Sequence, residues 1–392
     1  MKERKPNRNK PDAGAGFHIP EKPLPACRNP LTPRHPKRKG ILQMNTRPEA
    51  PKNAGGRIAG TECRTEFMKT NHTKYDIIGD IHGHADALDA LLHKLDYEKV
   101  NGIWRHPADR KVIFVGDFID RGPKILETLK TVRAMTDSGN AFAVLGNHEW
   151  NALRYHTCGP DGAPLRPHTA KNEKQHSATL EQIAVPHPEE WKDWLAWFKT
   201  VPLYLDLGGV RIVHAAWCKK ATATVGERRF ADDAFLLAAS TEGTPENAAV
   251  KTLLNGPETL LPTGIDFTDK EGHAHEDIRA RWFGLRHRES VTYRELVFPA
   301  SEEPPPIEVP AELLAGLSHY AEDEPLVVFG HYWLPPAAPS LLAKNAVCVD
   351  YSVASKTGGL LAAYRWDGES EVNLEKFAWV ESKPLGIGEA AS

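Results

Sequence analysis

The sequence predicts an α/β fold whose buried strands deliver polar residues to one edge of a sheet. Three stretches predict it: YDIIGDIHG at Tyr75–Gly83, KVIFVGDFIDRG at Lys111–Gly122 and AFAVLGNHEW at Ala141–Trp150. Each is a short apolar run that ends in glycine and a residue of metal-ligand type. In open α/β sheets, sites lie at the carboxyl ends of strands. One such end reads as a helix N-cap, since Asp and Asn are favoured caps. Three in register, two of them with histidine close by, exceed what capping requires.

The chain has 392 residues, 41% hydrophobic and 26% charged, with a formal net charge of −3. That length suits two average domains or one large α/β domain with insertions. No apolar run reaches transmembrane length, so no membrane association is expected. The cysteines are Cys27, Cys63, Cys158, Cys218 and Cys348. Few, odd in number and scattered, they argue against a disulfide framework and a CxxC metal site. They favour a reducing compartment, and a cytoplasmic location is expected.

Residues 1–60 hold ten prolines and fourteen Lys or Arg against four acids, which leaves a net charge of −13 for the remainder. Such a stretch cannot bury enough apolar surface to offset its ordering entropy, so residues 1–70 are expected to be a disordered basic arm. It lacks the apolar core of a secretory signal, and its prolines suit a transit peptide poorly. One reading is a tail that touches nucleic acid or anionic surfaces. The preferred reading is a solvated, dispensable extension, because basic tracts alone are weak motifs. Met68 would then make a natural start.

From residue 71 the elements follow in order. Tyr75, Ile77 and Ile78 are β-prone, and Asp80 and His82 sit two apart, on one face if extended. Leu88, Leu91, Leu92 and Leu95 mark one apolar helical face. Lys111–Gly116 has the near-continuous apolarity of a parallel strand covered on both faces. Pro123 then opens a helix with Ile125, Leu126, Leu129 and Val132 at helical spacing. A third strand, Ala141–Leu145, runs into Gly146–Trp150. Residues 155–190 read as a polar excursion capping the site, with His156, His168 and His176 facing solvent. Trp191, Trp194, Leu195 and Phe198 form a helical stripe, read as core rather than a base-stacking platform. Leu203–Leu207 and Val210–Val213 flank Gly208-Gly209 as a hairpin that ends at His214. Residues 220–320 are the least legible, with helices expected near 229–240 and 246–254 and a proline-rich loop at Pro299–Pro310. Strand grammar returns at Leu326–Phe329, which ends in His331, at Ala346–Val349, which ends in Asp350, and at Gly359–Trp366. Residues 71–382 are thus expected to be one domain, with 155–190 and 220–320 as cap or insert segments and 383–392 as a tail.

The strand ends collect Asp80, His82, Asp117, Asn147, His214 and His331. Imidazole, carboxylate and amide oxygen without thiolate suit Mn²⁺, Fe or Zn²⁺, with Mg²⁺ less natural beside so many imidazoles. Six ligands exceed one closed structural zinc site. A carboxylate between two ions ~3.5–4 Å apart can bridge them, and such a pair can hold a hydroxide nucleophile for in-line displacement at phosphorus. Arg121 is a planar donor suited to phosphate oxygens. His148 could protonate a leaving alkoxide, with Asp120 orienting it.

In this order GDIHG, GDFIDRG and GNHE resemble the signature of the calcineurin-like metallophosphoesterases. The likeness is nearer to the phosphoprotein phosphatase branch and its bacterial relatives, among them the diadenosine tetraphosphatases. The blocks span Gly79–Glu149, and the single histidines extend the likeness to about residue 365. The resemblance implies a four-layer α/β/β/α sandwich with a dinuclear site at one edge. It implies that Asp80 and His82 bind a first divalent ion, that Asp117 bridges, and that Asn147, His214 and His331 bind a second, most naturally Mn²⁺. It also implies a leaving-group role for His148 with Asp120 and phosphate holding by Arg121. Two departures stand out. His214-Ala215-Ala216 replaces the family's His-Gly-Gly, and Gly330-His331-Tyr332-Trp333 lacks the second histidine of Gly-His-x-His. The second phosphate-holding arginine has Arg281 and Arg279 as candidates by chain order alone.

The expected function is therefore metal-dependent hydrolysis of phosphate esters, with a small phosphoester or nucleotide as the leading substrate. A serine/threonine protein phosphatase and a diadenosine tetraphosphate hydrolase are the alternatives. A non-catalytic binding protein is disfavoured because no ligand position is degenerate. Trp217, Trp282 and Trp333 flank the site in sequence and could stack a base or fill the core.

Overall fold

The computed structural model describes residues 74–265, 267–268, 274–285 and 290–383. The expected arm at 1–70 and the tail beyond Lys383 lie outside the described residues. The amino-terminal half alternates as the periodicity requires: β1 (Tyr75–Ile78), α1 (Ala85–Lys94), β2 (Lys111–Phe114), α2 (Ile125–Asp137), β3 (Ala141–Ala143) and α3 (Asn147–His156). Then come α4 (Ala170–Thr179), a π-helical turn at Leu180–Ala184, α5 (Pro188–Phe198), and the hairpin β4 (Tyr204–Asp206) and β5 (Val210–Val213). Helices α6 (Lys219–Val225), α7 (Asp233–Ser240) and α8 (Pro245–Asn255) precede the closing strands. These are β6 (Leu326–Phe329), β7 (Ala346–Cys348), β8 (Asp350–Tyr351), β9 (Leu360–Trp366) and β10 (Phe377–Glu381).

Two sheets form. In the first, β1 lies parallel to β2, and β2 parallel to β3. On its other side β1 runs antiparallel to β9, which also pairs with β8 and β10. In the second, β6 lies parallel to both β5 and β7, and β4 closes the edge as a hairpin. Ile77, Ile78, Val112, Ile113 and Phe114 are wholly buried, as strands covered on both faces must be. Leu88, Leu91, Leu92 and Leu95 are also wholly buried. Each contributes roughly 1.5–3 kcal/mol over its exposed state. One apolar core joins both sheets and their helices, while Leu261, Ile278, Val291, Tyr293, Leu296 and Val309 belong to a separate small core.

The segment 155–190 is more ordered than a polar excursion would be, because Ala170–Ala184 is continuously helical. Thr169 caps α4 by accepting the Asn172 N–H. The tryptophan stripe of α5 is core, with Trp191, Trp194 and Phe198 buried. Helix α6 and strand β10 went unforeseen in the sequence. Cys218 and Cys348 are free thiols. No helix among the described residues is long and apolar enough to cross a membrane.

Candidate metal centre

The parallel strands of both sheets end at one place. The turn after β1 is clipped to the turn after β2 by Ile81, His82 and Gly83 N–H groups, which donate to Asp117 and Phe118 carbonyls at 2.8–3.1 Å. The second sheet joins through His214, whose ring Nδ1 donates to the Val115 carbonyl at 2.8 Å. Gly330 has a reason of its own: a Cβ there would stand 2.0 Å from Asp80 Oδ1. His82, Asp117, Asp120, Arg121 and His331 all take positive φ, between 45° and 74°. Non-glycine residues seldom adopt that region, and their concentration here marks a strained, over-determined loop cluster.

Asp117 is the centre. Its Oδ2 lies 3.4 Å from His214 Nε2, 3.6 Å from His82 Nε2 and 3.9 Å from His148 Nε2. Two groups of ligand atoms share it: His82, Asp117 and His148, and Asp117, His214 and His331. Asn147 Oδ1 lies 2.9 Å from both His214 Nε2 and His331 Nδ1. The Asp80 carboxylate accepts the His331 N–H at 3.1 and 3.3 Å. All six residues predicted from strand ends therefore converge, and all are buried.

Whether these residues fit a metal is decided by their protons. A carbonyl only accepts, so His82, bonded to the Ile119 carbonyl at 2.9 Å, carries its proton on Nδ1. Its Nε2 is buried without a hydrogen-bond partner, as is His331 Nε2. Burial, then the neighbouring His148, holds the His82 pKa well below the ordinary value. Burial, then Arg279, does the same for His331. Both rings are thus the neutral imidazoles that metals take. His214 also spends Nδ1–H on a carbonyl, so its Nε2 lone pair meets the acceptor Asn147 Oδ1. A second proton, a cation between the atoms, or an amide turned to present Nδ2–H would reconcile that contact. Burial opposes the proton, yet Asp117 raises the His214 pKa, so the site calls for positive charge. Asp80 repeats the demand: burial, then Asp350 and Asp117, pushes its pKa well above the carboxylate range. The residues present fit divalent cations.

The flanking residues are placed differently. His148 Nδ1 donates to Asp120 Oδ2 at 2.6 Å. Burial would raise the Asp120 pKa, but the His176 and His148 imidazoles hold it far below the carboxylate range. Arg121 lies over the Trp333 ring at 4.2 Å, and Trp333 stands 6.2 Å from His82. Of the two candidate arginines, Arg279 is exposed and its charge reaches His331. Arg281 donates Nη2 to the Leu342 carbonyl at 2.7 Å and stacks on Phe283. Trp217 and Trp282 are buried, Trp282 bonding the Tyr332 hydroxyl, so of the three tryptophans Trp333 alone edges the site.

One expectation fails outright. His176 does not face solvent: it is 2% exposed, and its Nδ1 donates to Asp120 Oδ1 at 2.8 Å. His156 is half-buried with Nε2 at 3.2 Å from His176 Nε2, and His168 is exposed. Sequence reading also gave no role to Glu149, whose carboxylate accepts the N–H groups of Asp117, Phe118, Ile119 and Gly146 at 2.8–3.3 Å. Its signal was present, since Glu at the third position of a helix is a capping residue.

Comparison with known proteins finds one family match and several partial relatives. Residues 73–236 match the calcineurin-like phosphoesterase family. Over 142 residues the chain is 30% identical to the asymmetrical bis(5'-nucleosyl)-tetraphosphatase PrpE of Oceanobacillus iheyensis, covering 36% of this chain and 55% of that one. Against the Bacillus subtilis protein of the same name it is 34% identical over 144 residues, covering 36% and 57%. The chain thus spans a little over half the length of these relatives. A protein serine/threonine phosphatase structure from Saccharomyces cerevisiae aligns over 82% of each chain, at 14% identity and a TM-score of 0.43.

Proposed function

We propose that this chain, a calcineurin-like phosphoesterase over residues 73–236, hydrolyses phosphate esters or anhydrides with two divalent ions. The observation that carries the proposal is the convergence of three imidazole nitrogens, of His82, His148 and His214, within 3.9 Å of one Asp117 oxygen. We assign Asp80 and His82 to one ion, Asn147, His214 and His331 to the other, and Asp117 to both. The mixed nitrogen and oxygen set without thiolate favours Mn²⁺, with Fe, Zn²⁺ and Mg²⁺ as alternatives. Bound ions would supply a nucleophile at neutral pH and Lewis-acid stabilisation of phosphoryl oxygens.

The chain's own residues do the rest. Arg121, held over the Trp333 ring, offers its in-plane N–H donors to phosphate oxygens, and Arg279 adds charge from the side of His331. As the bond from phosphorus to the leaving oxygen breaks, that oxygen keeps the electron pair and takes the His148 Nε2 proton. Asp120, anionic and bonded to His148 Nδ1, stabilises the ring while it holds that proton. The substrate we favour is a small phosphoester or nucleotide, and the names of the two tetraphosphatases support a dinucleoside polyphosphate. Selection among substrates falls to the segments 155–190 and 220–320.

The test is a reconstitution panel. Metal-stripped protein is reloaded with Mn²⁺, Mg²⁺, Zn²⁺ or Fe²⁺ and assayed on para-nitrophenyl phosphate, a phosphopeptide and diadenosine tetraphosphate. Turnover that depends on the metal, fastest with Mn²⁺ and on the dinucleotide, is the expected result. Preference for the phosphopeptide would move the assignment to a protein phosphatase. No turnover in protein holding two ions would make it a binding protein.

A further inference from the structure

We propose that His176, with Thr179, is a positioning residue for the His148–Asp120 pair, so that α4 completes the site instead of merely covering it. The inference rests on the phosphoesterase reading for its catalytic consequence, but not for its geometry. Asp120 sits in a loop at φ 68°, a conformation that needs outside support. Its carboxylate is fully committed. Oδ2 accepts from His148 Nδ1 at 2.6 Å. Oδ1 accepts from His176 Nδ1 at 2.8 Å and from the Thr179 hydroxyl at 2.5 Å. The Thr179 oxygen in turn accepts the Asp120 N–H at 3.1 Å. His176 and Thr179 are three apart on α4, hence on one helical face.

A carboxylate accepts and does not donate when ionised, so His148 and His176 both carry hydrogen on Nδ1. His176 Nε2 lies 3.2 Å from His156 Nε2, and one of the two donates to the other. The line His156, His176, Asp120, His148 therefore holds the plane of each ring and keeps hydrogen on Nδ1 of both His176 and His148. Tyr155 and Trp191, with ring centroids 5.4 and 5.9 Å from His176, hold that ring in place. Without the Oδ1 partners, Asp120 could rotate about its last torsion. Its Oδ2 would leave His148, and His148 Nε2 would lose its aim at the space beside Asp117. Buried networks of this kind specify one geometry only when every member is satisfied.

The test uses the full chain with its metals, and three variants: His176→Phe, His176→Asn and Thr179→Val. Asn keeps a donor near the position of Nδ1, whereas Phe keeps the ring and loses the donor. Hydrolysis of an alkyl phosphate, which needs proton delivery, is compared with that of para-nitrophenyl phosphate, which needs little. We expect His176→Phe to lower kcat about tenfold on the alkyl ester and about twofold on the aryl ester with KM unchanged. His176→Asn should recover most of the loss. Thr179→Val should reproduce the pattern more weakly, which covers the case in which His176→Phe does not fold. In parallel, the downfield proton resonance of the His148–Asp120 hydrogen bond, identified by its absence in His148→Asn, is followed by NMR without metal. It should persist in wild type and His176→Asn and be lost to exchange in His176→Phe or Thr179→Val. Equal slowing on both esters, no rescue by Asn, or an unchanged resonance would each overturn the positioning role. If wild type hydrolyses nothing, the catalytic reading fails, and the resonance alone still decides whether His176 and Thr179 position the pair.

Discussion

At the scale of single residues, the site is a set of atoms whose protons have been assigned by their neighbours. Backbone carbonyls hold Nδ1–H of His82 and His214, which leaves each Nε2 lone pair turned toward Asp117. Such outer partners are a large part of how ligating histidines are oriented. His148 differs, because its Nδ1 is spent on Asp120, and its Nε2 is the atom proposed to deliver a proton to substrate. His148→Asn should therefore keep both metals, measured by elemental analysis, and lose at least about a hundredfold in kcat on alkyl esters, far more than on aryl esters. Gly330→Ala tests the close approach: the new Cβ would meet Asp80 Oδ1 at 2.0 Å. Metal affinity should fall by about tenfold or more, seen as a shifted metal titration. The strand-end residues were legible in the sequence because each lies just past an apolar strand, with Asp80, Asp117, Asn147 and His331 directly after a glycine. His176 was not legible, because its partner Asp120 lies 56 residues away and nothing local to a polar helix distinguishes a buried histidine from an exposed one.

At the scale of elements, β1 carries the argument. Its apolar residues bury both faces, yet it also buries a carboxylate: Asp76 is wholly buried and accepts from Arg110, Arg365 and the Tyr97 hydroxyl at 2.8–3.2 Å. Removing one partner from such a network leaves the others desolvated and unpaired. Asp76→Ala should cost about 3–5 kcal/mol by denaturant unfolding. The order of β1, α1, β2, α2 and β3 was readable from periodicity, since strands buried on both faces and amphipathic helices leave different patterns. Strand β10 escaped notice because it is an edge strand: its residues beyond Phe377 are half-buried or exposed, so burial left no pattern to read. The helical turns of 170–184 hide for a related reason, since α4 is largely polar and its burial rests on a few side chains.

At the scale of the whole molecule, the site lies where two sheets meet, and neither sheet holds it alone. Asp80, Asp117 and Asn147 come from the first sheet, and His214 and His331 from the second. The four buried acids Asp80, Asp117, Glu149 and Asp350 stand close enough that their charges act on one another. Cations at the seam would relieve that repulsion and tie the sheets together. Chelation should therefore lower Tm. Each ion at a hundredfold excess over its Kd stabilises by about 2.7 kcal/mol, so two give about 5.4 kcal/mol. In a domain of this size each kcal/mol moves Tm by about 2 °C, so a fall of about 11 °C is expected by calorimetry. The measurement that bears most directly on the dinuclear site is metal stoichiometry. Stripped protein would be titrated with Mn²⁺ by calorimetry, beside Asp117→Asn. Two ions per wild-type chain, and at most one in the variant, is the predicted result. One ion or none in wild type, or two ions and full rate in Asp117→Asn, would contradict it.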